Sequence, residues 1–466
     1  MIKFGTDGWR GLIARDFTFE NIRLVALATA QYVKKNFNKK EHLVVIGYDT
    51  RFLSKEFAEE TAMVLADEGI KSYLSEGFSS TPQVSFNTKH LNADIGVVIT
   101  ASHNPGIYNG YKLKADFGGP GTPEQVNALE AELKLIWDNR PLIKLKDFQY
   151  YIDKGMIALY DAKKDYIEHI SKVIDLDAIR KAGLKIIYDP MYGAGMNTLK
   201  EILPDAEHLH DDFNPSFGEI DHPEPIDDYL PQLISKVKAG NYDLGIATDG
   251  DADRVGLIDS DGNFVDSHRL FMILLKYLNE IKGAHGSVVK TVSLTSMVNA
   301  YCADKGLELH ETPVGFKHTA KIMSEEDVMI GGEESGGLGT YLHIPERDGI
   351  FNALMVLEVM VKRDMSLKQL CDELDEQFGT HRYRRRDVKV TPETKEQIMN
   401  AAGKKPTKLG KYEVKEIITK DGYKFMVDKG WLLIRASGTE PLIRFYAEAE
   451  NLDKVNELLD AGLTLK

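Results

Sequence analysis

The chain has 466 residues, 43% of them apolar, and a formal net charge of −14. That length exceeds one core and implies roughly three or four domains of about 100–150 residues, while the apolar fraction excludes a disordered chain. The acidic balance and the lack of any long basic run argue against nucleic acid or an anionic membrane as partner, so an anionic substrate would need a local cluster of Lys and Arg.

In chain order, the opening MIKFGTDGWRG has no apolar signal core, and no apolar run approaches the ~20 residues of a membrane span. Within it FGTDGWRG, residues 4–11, sets Arg10 and a tryptophan in a glycine-rich turn. In residues 17–37, Ile22, Val25, Ala26 and Val33 fall on one helical face with Thr29 as the one polar member, which predicts an amphipathic helix. Short apolar runs ending in Gly- or Asp-containing loops then recur at 43–51, 95–105, 184–195, 244–254, 286–296 and 328–337. Helical stretches lie between them, the pattern of helix-covered parallel sheets, whose ligands bind at the carboxyl ends of strands. Residues 120–160 read as a charged helical connector. Cys302 and Cys371 stand far apart and form no CxxC pair, so they read as reduced cysteines of a cytoplasmic protein. Near residue 376 the texture shifts to shorter strands and Lys/Glu-rich helices. There Arg384 to Arg386 read as a solvated turn or strand end, and residues 431–450 as strand, loop, strand. The expected units are α/β over 1–150, 151–254 and 255–375, then a smaller α+β domain over 376–466.

Four loops carry candidate chemistry. The strand at 95–99 runs into TASHNP, which places Ser102 where an open α/β sheet presents its reactive groups. A lone serine is a poor nucleophile, and His103 beside it is a weak partner, because neighbours on a turn usually point apart. In TDGDADR, Asp249, Asp251 and Asp253 alternate directly after an apolar strand. Such a loop is either a solvated acidic turn or a nest of hard oxygen ligands for Mg²⁺ or Ca²⁺, and three like charges need a cation or water. An EF-hand is excluded, since Arg254 and Ser260 stand where that loop needs Gly and Glu. GGEESGG, residues 331–337, lets backbone approach a ligand and offers Glu333 and Ser335 to sugar hydroxyls; a surface loop is the plain alternative. RASGTEP, with Ser437, Gly438 and Thr439 flanked by Arg435 and Arg444, is either a phosphate cradle or an ordinary hairpin. No P-loop lysine signature, HExxH or GxSxG is present.

TASHNP, DGDADR, GEESGG and RASGTEP in this order resemble the α-D-phosphohexomutase superfamily, and the likeness spans nearly the whole chain. The resemblance implies four domains around a central cleft, three related α/β units with mixed, helix-covered sheets and a smaller C-terminal α+β domain. It implies that Ser102 carries a phosphoryl group, that Asp249, Asp251 and Asp253 hold one Mg²⁺ against it, and that Arg10, His103, Lys112 and Arg254 complete the catalytic set, with Lys112 assisting proton transfer. It makes Arg435, Ser437, Gly438, Thr439 and Arg444 the holder of the remote phosphate, and Glu333 and Ser335 the ligands of the sugar hydroxyls. Lys317, in TPVGFKH at 312–318, resembles the substrate-facing lysine of phosphoglucomutases. The implied reaction moves phosphate between the 1- and 6-positions of a hexose phosphate through a hexose 1,6-bisphosphate, which also serves as activator. GEESGG, which resembles the loops of phosphoglucomutases and phosphomannomutases, and TPVGFKH together favour glucose, with mannose accepted; phosphoglucosamine is the alternative, since that branch more often has a Gln and a final His in the former loop. The partners expected are small hexose phosphates, with the chain a monomer or homodimer. Two rivals of other classes remain: a metal-dependent phosphatase using the Asp249-x-Asp251 pair, although Asp253 stands where it expects Thr or Val, and a sugar-phosphate sensor that binds without turnover.

Overall fold

A computed structural model describes residues 2–5, 7–436 and 442–465. The first sheet contains β1 (Trp9–Leu12), β2 (Leu43–Tyr48), β3 (Lys71–Ser75), β4 (Ile95–Ile99), β5 (Tyr108–Ala115) and β6 (Ile157–Tyr160), in spatial order β1-β5-β4-β2-β3-β6. Strands β4, β2, β3 and β6 run parallel, while β4 and β5 form an antiparallel hairpin. The second sheet contains β7 (Ile186–Asp189), β8 (Glu207–His208), β9 (Leu244–Thr248), β10 (Val255–Asp259) and β11 (Phe264–Val265), in order β11-β10-β9-β7-β8. The third contains β12 (Ser287–Thr291), β13 (Leu309–Thr312), β14 (Val328–Gly332) and β15 (Leu338–Thr340), in order β13-β12-β14-β15.

These three sheets follow one plan. In each, the parallel strands give way on one side to an antiparallel hairpin: β4–β5, β9–β10 and β14–β15. The hairpin loops are TASHNPGI, DGDADR and EESGG. Three of the four chemically suggestive loops therefore occupy the same place in three related units. The parallel strands read as continuous apolar runs because both sheet faces are covered; β4 and β9 are buried at every position.

The helices start where side chains can satisfy their free N–H groups. Thr18 caps Phe19–Asn36, and Ser80 with Gln83 forms a reciprocal capping box at Thr81–His90. In the first of these, Ile22, Val25, Ala26, Thr29 and Val33 are all buried, as their spacing predicts. The helix Gly349–Arg363 is buried on all sides from Gly349 to Met360, and Asp348 caps it. It runs through one continuous core shared by the second and third units, which also receives Phe86 from the first. No helix is long and apolar enough to cross a membrane, among the described residues.

Two expected boundaries shift. Strand β6 pairs with β3, so the first sheet reaches Tyr160 rather than ending at 150. Strand β10 pairs with β9 across the acidic loop, so the expected break after Arg254 splits a hairpin, and the second sheet reaches Val265 through β11. In both places the next strand returns to the sheet it left, which apolar runs alone do not reveal.

The last unit contains β16 (Arg382–Lys389), β17 (Lys408–Leu409), β18 (Tyr412–Glu413), β19 (Glu416–Ile418), β20 (Tyr423–Val427), β21 (Gly430–Ala436) and β22 (Leu442–Ala449). Its main sheet is antiparallel, in order β16-β22-β21-β20-β19, and it has its own core around Phe425, Ile434 and Phe445. Arg384 to Arg386 lie within β16 rather than in a turn. Strand alternation sends Arg384 and Arg386 to Asn456 and Asp460, and Arg385 to Asp387 on the other face.

Candidate functional site

Ser102 follows β4 with φ of 54°, a left-handed backbone that a non-glycine residue adopts at a cost. One arginine holds it there. Arg51 is fully buried at the end of β2, and its Nε donates to Asp49 Oδ2 at 2.9 Å. Its Nη1 donates to the carbonyls of Pro105 (2.8 Å) and Tyr108 (3.1 Å), and its Nη2 to those of Ser102 and Asn104. All five guanidinium hydrogens are thereby used on one carboxylate and four carbonyls of the serine loop. Asp49 also accepts from Thr100 Oγ1 at 2.6 Å and Ser54 Oγ at 2.7 Å, closing the network.

The acidic loop of the second unit meets this serine loop. Gly250 permits the approach, since a Cβ there would lie 2.4 Å from the Ser102 carbonyl oxygen. Ser102 Oγ donates to Asp249 Oδ2 at 2.8 Å, and His103 Nδ1 lies 3.3 Å from the same Oγ. Asp249, Asp251 and Asp253 are fully buried, and each offers an oxygen within 4.8 Å of the others. Asp251 Oδ1 and Asp253 Oδ1 are buried without a hydrogen-bond partner. Buried carboxylate oxygens left this way are costly unless a cation takes them. Three hard oxygens converging on one point fit a divalent cation of the Mg²⁺ or Ca²⁺ kind.

Cations of the chain already lean on the triad. Lys112 Nζ, on β5, lies 2.7 Å from Asp251 Oδ2, 2.7 Å from Asp7 Oδ2 and 3.4 Å from Asp253 Oδ2. Burial alone would lower the Lys112 pKa, but Asp251, Asp7 and Asp253 overcome it and raise it, so the ammonium stays charged. No hydrogen bond joins Lys112 to Ser102 among the described residues; it meets the aspartates instead. Burial and the charges of Asp253 and Asp251 push Asp249 well above the carboxylate range, while Lys112 overcomes burial to hold Asp251 below it. Burial, then Arg254 and Arg10, push His103 well below the usual imidazole value, which keeps it neutral. Arg10 donates to Asn104 Oδ1 of the serine loop. The Arg254 backbone N–H donates to Asp249 Oδ1 at 3.0 Å, and its Nη1 pairs with Glu224 at 2.7 Å.

The third hairpin loop joins through Arg347. Its Nη1 donates to Glu333 Oε1 at 3.0 Å, and its Nη2 pairs with Asp253 and, at 3.0 Å, with Asp7. Ser335 Oγ also donates to Glu333 Oε1, at 2.8 Å. Serine, acidic and GEESGG loops, one from each α/β unit, thus form one polar cluster. Lys317 stands one residue into the helix Phe316–Glu325, half-buried. On the last unit, Arg435 (β21), Arg444 (β22) and Asp387 (β16) are cross-strand neighbours in one row. Arg435 Nε donates to Asp421 at 2.7 Å, and Arg444 Nε to Asp387 at 3.3 Å. Ser437, Gly438 and Thr439 lie outside the described residues.

Asp7, Arg51, Arg347 and Asp421 escape the sequence reading. Arg51 has a faint signal, because Asp49 and Arg51 follow a buried strand as the other polar loops do. Arg347 and Asp421 have none, since their partners lie in distant segments.

Models of the four phosphoglucomutase/phosphomannomutase domains match in sequence order: alpha/beta/alpha domain I at residues 1–138, domain II at 164–262, domain III at 266–378 and the C-terminal domain at 387–463. The chain is 32% identical to a phosphoglucomutase/phosphomannomutase of Thermococcus kodakarensis, over 99% of this chain and 98% of that one. It is 29% identical to a phosphoglucosamine/phosphogalactosamine mutase of Sulfurisphaera tokodaii, over 98% and 97%. Its fold matches a solved structure described as a phosphomannomutase from Thermus thermophilus, with TM-score 0.86, 33% identity and coverage of 99% and 98%. The chain therefore belongs to the phosphoglucomutase/phosphomannomutase family of the α-D-phosphohexomutase superfamily, enzymes that move phosphate within a hexose phosphate.

Proposed function

We propose that this phosphohexomutase interconverts the 1- and 6-phosphates of glucose, and accepts mannose, with Ser102 as phosphoryl carrier. The observation that carries the reading is the 2.8 Å hydrogen bond from Ser102 Oγ to Asp249, made between loops of two different units. It gives the serine a carboxylate partner, which its own loop lacks, and it argues against a phosphatase in which Ser102 would be incidental.

Asp249, Asp251 and Asp253 would hold one Mg²⁺, which when bound supplies charge neutralisation for the phosphoryl oxygens. The residues of the chain do the rest by position. Phospho-Ser102 gives its phosphoryl group to the free hydroxyl of a hexose monophosphate; the P–O bond to Ser102 breaks, the hydroxyl's proton passes to Ser102 Oγ, and a hexose 1,6-bisphosphate is left. The bisphosphate turns over in the cleft, its other phosphate returns to Ser102 Oγ, the serine's proton passes to the sugar oxygen so freed, and the isomeric hexose monophosphate leaves. Because Lys112 stays charged, it offers a proton and a positive charge rather than acting as a base. Neutral His103 is placed to exchange a proton with Ser102 Oγ. Arg10 and Arg254 stand on the same loops as further positive charge. Glu333 and Ser335 accept and donate to the sugar hydroxyls. Arg435 and Arg444, with Ser437, Gly438 and Thr439, hold the phosphate that is not reacting. That contact lets remote binding energy be realised at the reacting centre in both orientations. The molecule needs no membrane or nucleic-acid partner for this chemistry, and a cytoplasmic location fits it.

The relatives divide between glucose or mannose and glucosamine activities, so kcat/KM is the test. It is measured for glucose 1-phosphate, mannose 1-phosphate and glucosamine 1-phosphate with Mg²⁺ and a trace of glucose 1,6-bisphosphate. Glucose leading supports the assignment of Glu333, Ser335 and Lys317. Glucosamine leading by a wide margin keeps the chemistry and overturns the sugar preference.

A further inference from the structure

The turn between β19 and β20 reads Thr419-Lys420-Asp421-Gly422, and it joins two units of the molecule. Asp421 Oδ2 accepts from the Arg435 side chain of its own unit at 2.7 Å. The same oxygen accepts from the Val314 backbone N–H of the third unit at 2.9 Å. Lys420 Nζ adds a second bond across the boundary, to the Glu311 carbonyl at 2.6 Å. The turn itself is fixed against β21. Gly422 has φ of 81°, and a Cβ there would lie 2.3 Å from the Ile434 carbonyl oxygen, one residue before Arg435. Val314 lies three residues before Lys317, at the entry to the helix Phe316–Glu325.

We infer that Asp421 is a positioning residue that ties the guanidinium of Arg435 to the Lys317 loop, so that the phosphate holder and the sugar-facing loop are set by one carboxylate. The inference rests on the reading of Arg435 as a phosphate holder. The chemistry suits the role. Asp421 takes the Nε hydrogen, which turns the terminal nitrogens into the planar fork that phosphate oxygens accept from. An arginine without that brace samples many rotamers, and each binding event must then order it. The Val314 bond adds what a surface ion pair would not: the carboxylate that aims the fork also anchors the backbone of the opposing unit. A surface Arg–Asp pair alone contributes little, so the effect should appear in substrate binding rather than in stability.

The experiment measures kcat and KM for glucose 1-phosphate, with glucose 1,6-bisphosphate present, in Asp421→Ala, Asp421→Asn and Arg435→Ala. Hydrogen exchange over residues 311–318 is followed in the same proteins. The expected result is a KM raised about ten-fold in Asp421→Ala with kcat within about three-fold of the parent. Exchange at Val314 should be faster in that variant. Asp421→Asn keeps a carbonyl oxygen that can accept both bonds, so KM should return to within about three-fold of the parent and exchange should stay slow. Parental KM and exchange in Asp421→Ala, with Arg435→Ala impaired, would overturn the tie and leave the phosphate assignment standing. Parental kinetics in Arg435→Ala would overturn the assignment and the inference with it.

Discussion

The Ser102 hydroxyl finds its carboxylate partner in a segment that sequence places far away. Ser102 meets Asp249 across 147 positions, and Lys112 meets Asp251 across 139. Removing the hydroxyl in Ser102→Ala should lower turnover at least about a thousand-fold, with the denaturation midpoint little changed. Near-parental activity would return Ser102 to a structural role and revive the phosphatase alternative. Asp251→Asn removes one charge from the triad, and calorimetric titration with Mg²⁺ should show weakened binding together with lost turnover. Unchanged Mg²⁺ affinity would remove Asp251 from the metal site. The polar loops holding Ser102, Asp249, Asp251, Asp253, Glu333 and Ser335 were legible because each follows an apolar run with residues that are costly to bury unless paired. Arg347 was not, since its meaning lies in Asp7, 340 positions away, and in Glu333 and Asp253. Local spacing cannot report a side chain that serves three loops.

Among the elements, the serine loop depends on Arg51 and the helix Gly349–Arg363 depends on Asp348. Arg51→Met removes the buried partner of Asp49 and leaves loop carbonyls unpaired, so it should cost about 3–5 kcal/mol in urea unfolding and lower kcat even where the protein remains folded. A stability and kcat equal to the parent would show that the loop holds its left-handed serine unaided. Asp348 accepts from the Phe351 N–H at 2.9 Å and from Tyr166 Oη at 2.8 Å. Losing a cap costs about 1 kcal/mol, and the stranded tyrosine adds to it. The junction of the third and last units carries a pH dependence. Glu448 accepts from Ser296 and from Trp431 and lies 3.1 Å from His381 Nδ1. Burial pulls the His381 pKa down, but the bond and charge of Glu448 raise it above the ordinary histidine value. Its contribution is complete below about pH 6.5 and is lost as pH rises through the folded value. His381→Gln should therefore flatten the fall in stability as pH rises above about 6.5, relative to the parent. An identical pH profile in the variant would show that the pair does not couple to folding.

In the whole molecule, three sheets of one plan set their hairpin loops against one another, and a fourth unit brings the arginine row. The order of apolar runs made the α/β class and the four-unit architecture readable from the chain. The sheet limits at Tyr160 and Val265 were not, because they depend on which sheet a strand rejoins. The convergence of the loops was equally hidden, since nothing in a hairpin's own sequence says which other hairpin it will face. It follows from the shared core of the second and third units, from Phe86 seated in that core, and from Gly250 against Ser102. Arg435→Ala should raise KM and lower kcat together if, as proposed, the fourth unit holds the remote phosphate in both substrate orientations; normal kinetics would place that phosphate elsewhere.

The proposed chemistry depends on Ser102 as the carrier of the phosphate. The most direct measurement is mass spectrometry of peptides from protein incubated with glucose 1,6-bisphosphate and Mg²⁺, before and after excess glucose is added. The expected result is one phosphate on the peptide containing Ser102, and its loss when a free hexose hydroxyl is supplied. A phosphate on an aspartate peptide, or none on Ser102 while the enzyme turns over, would contradict it.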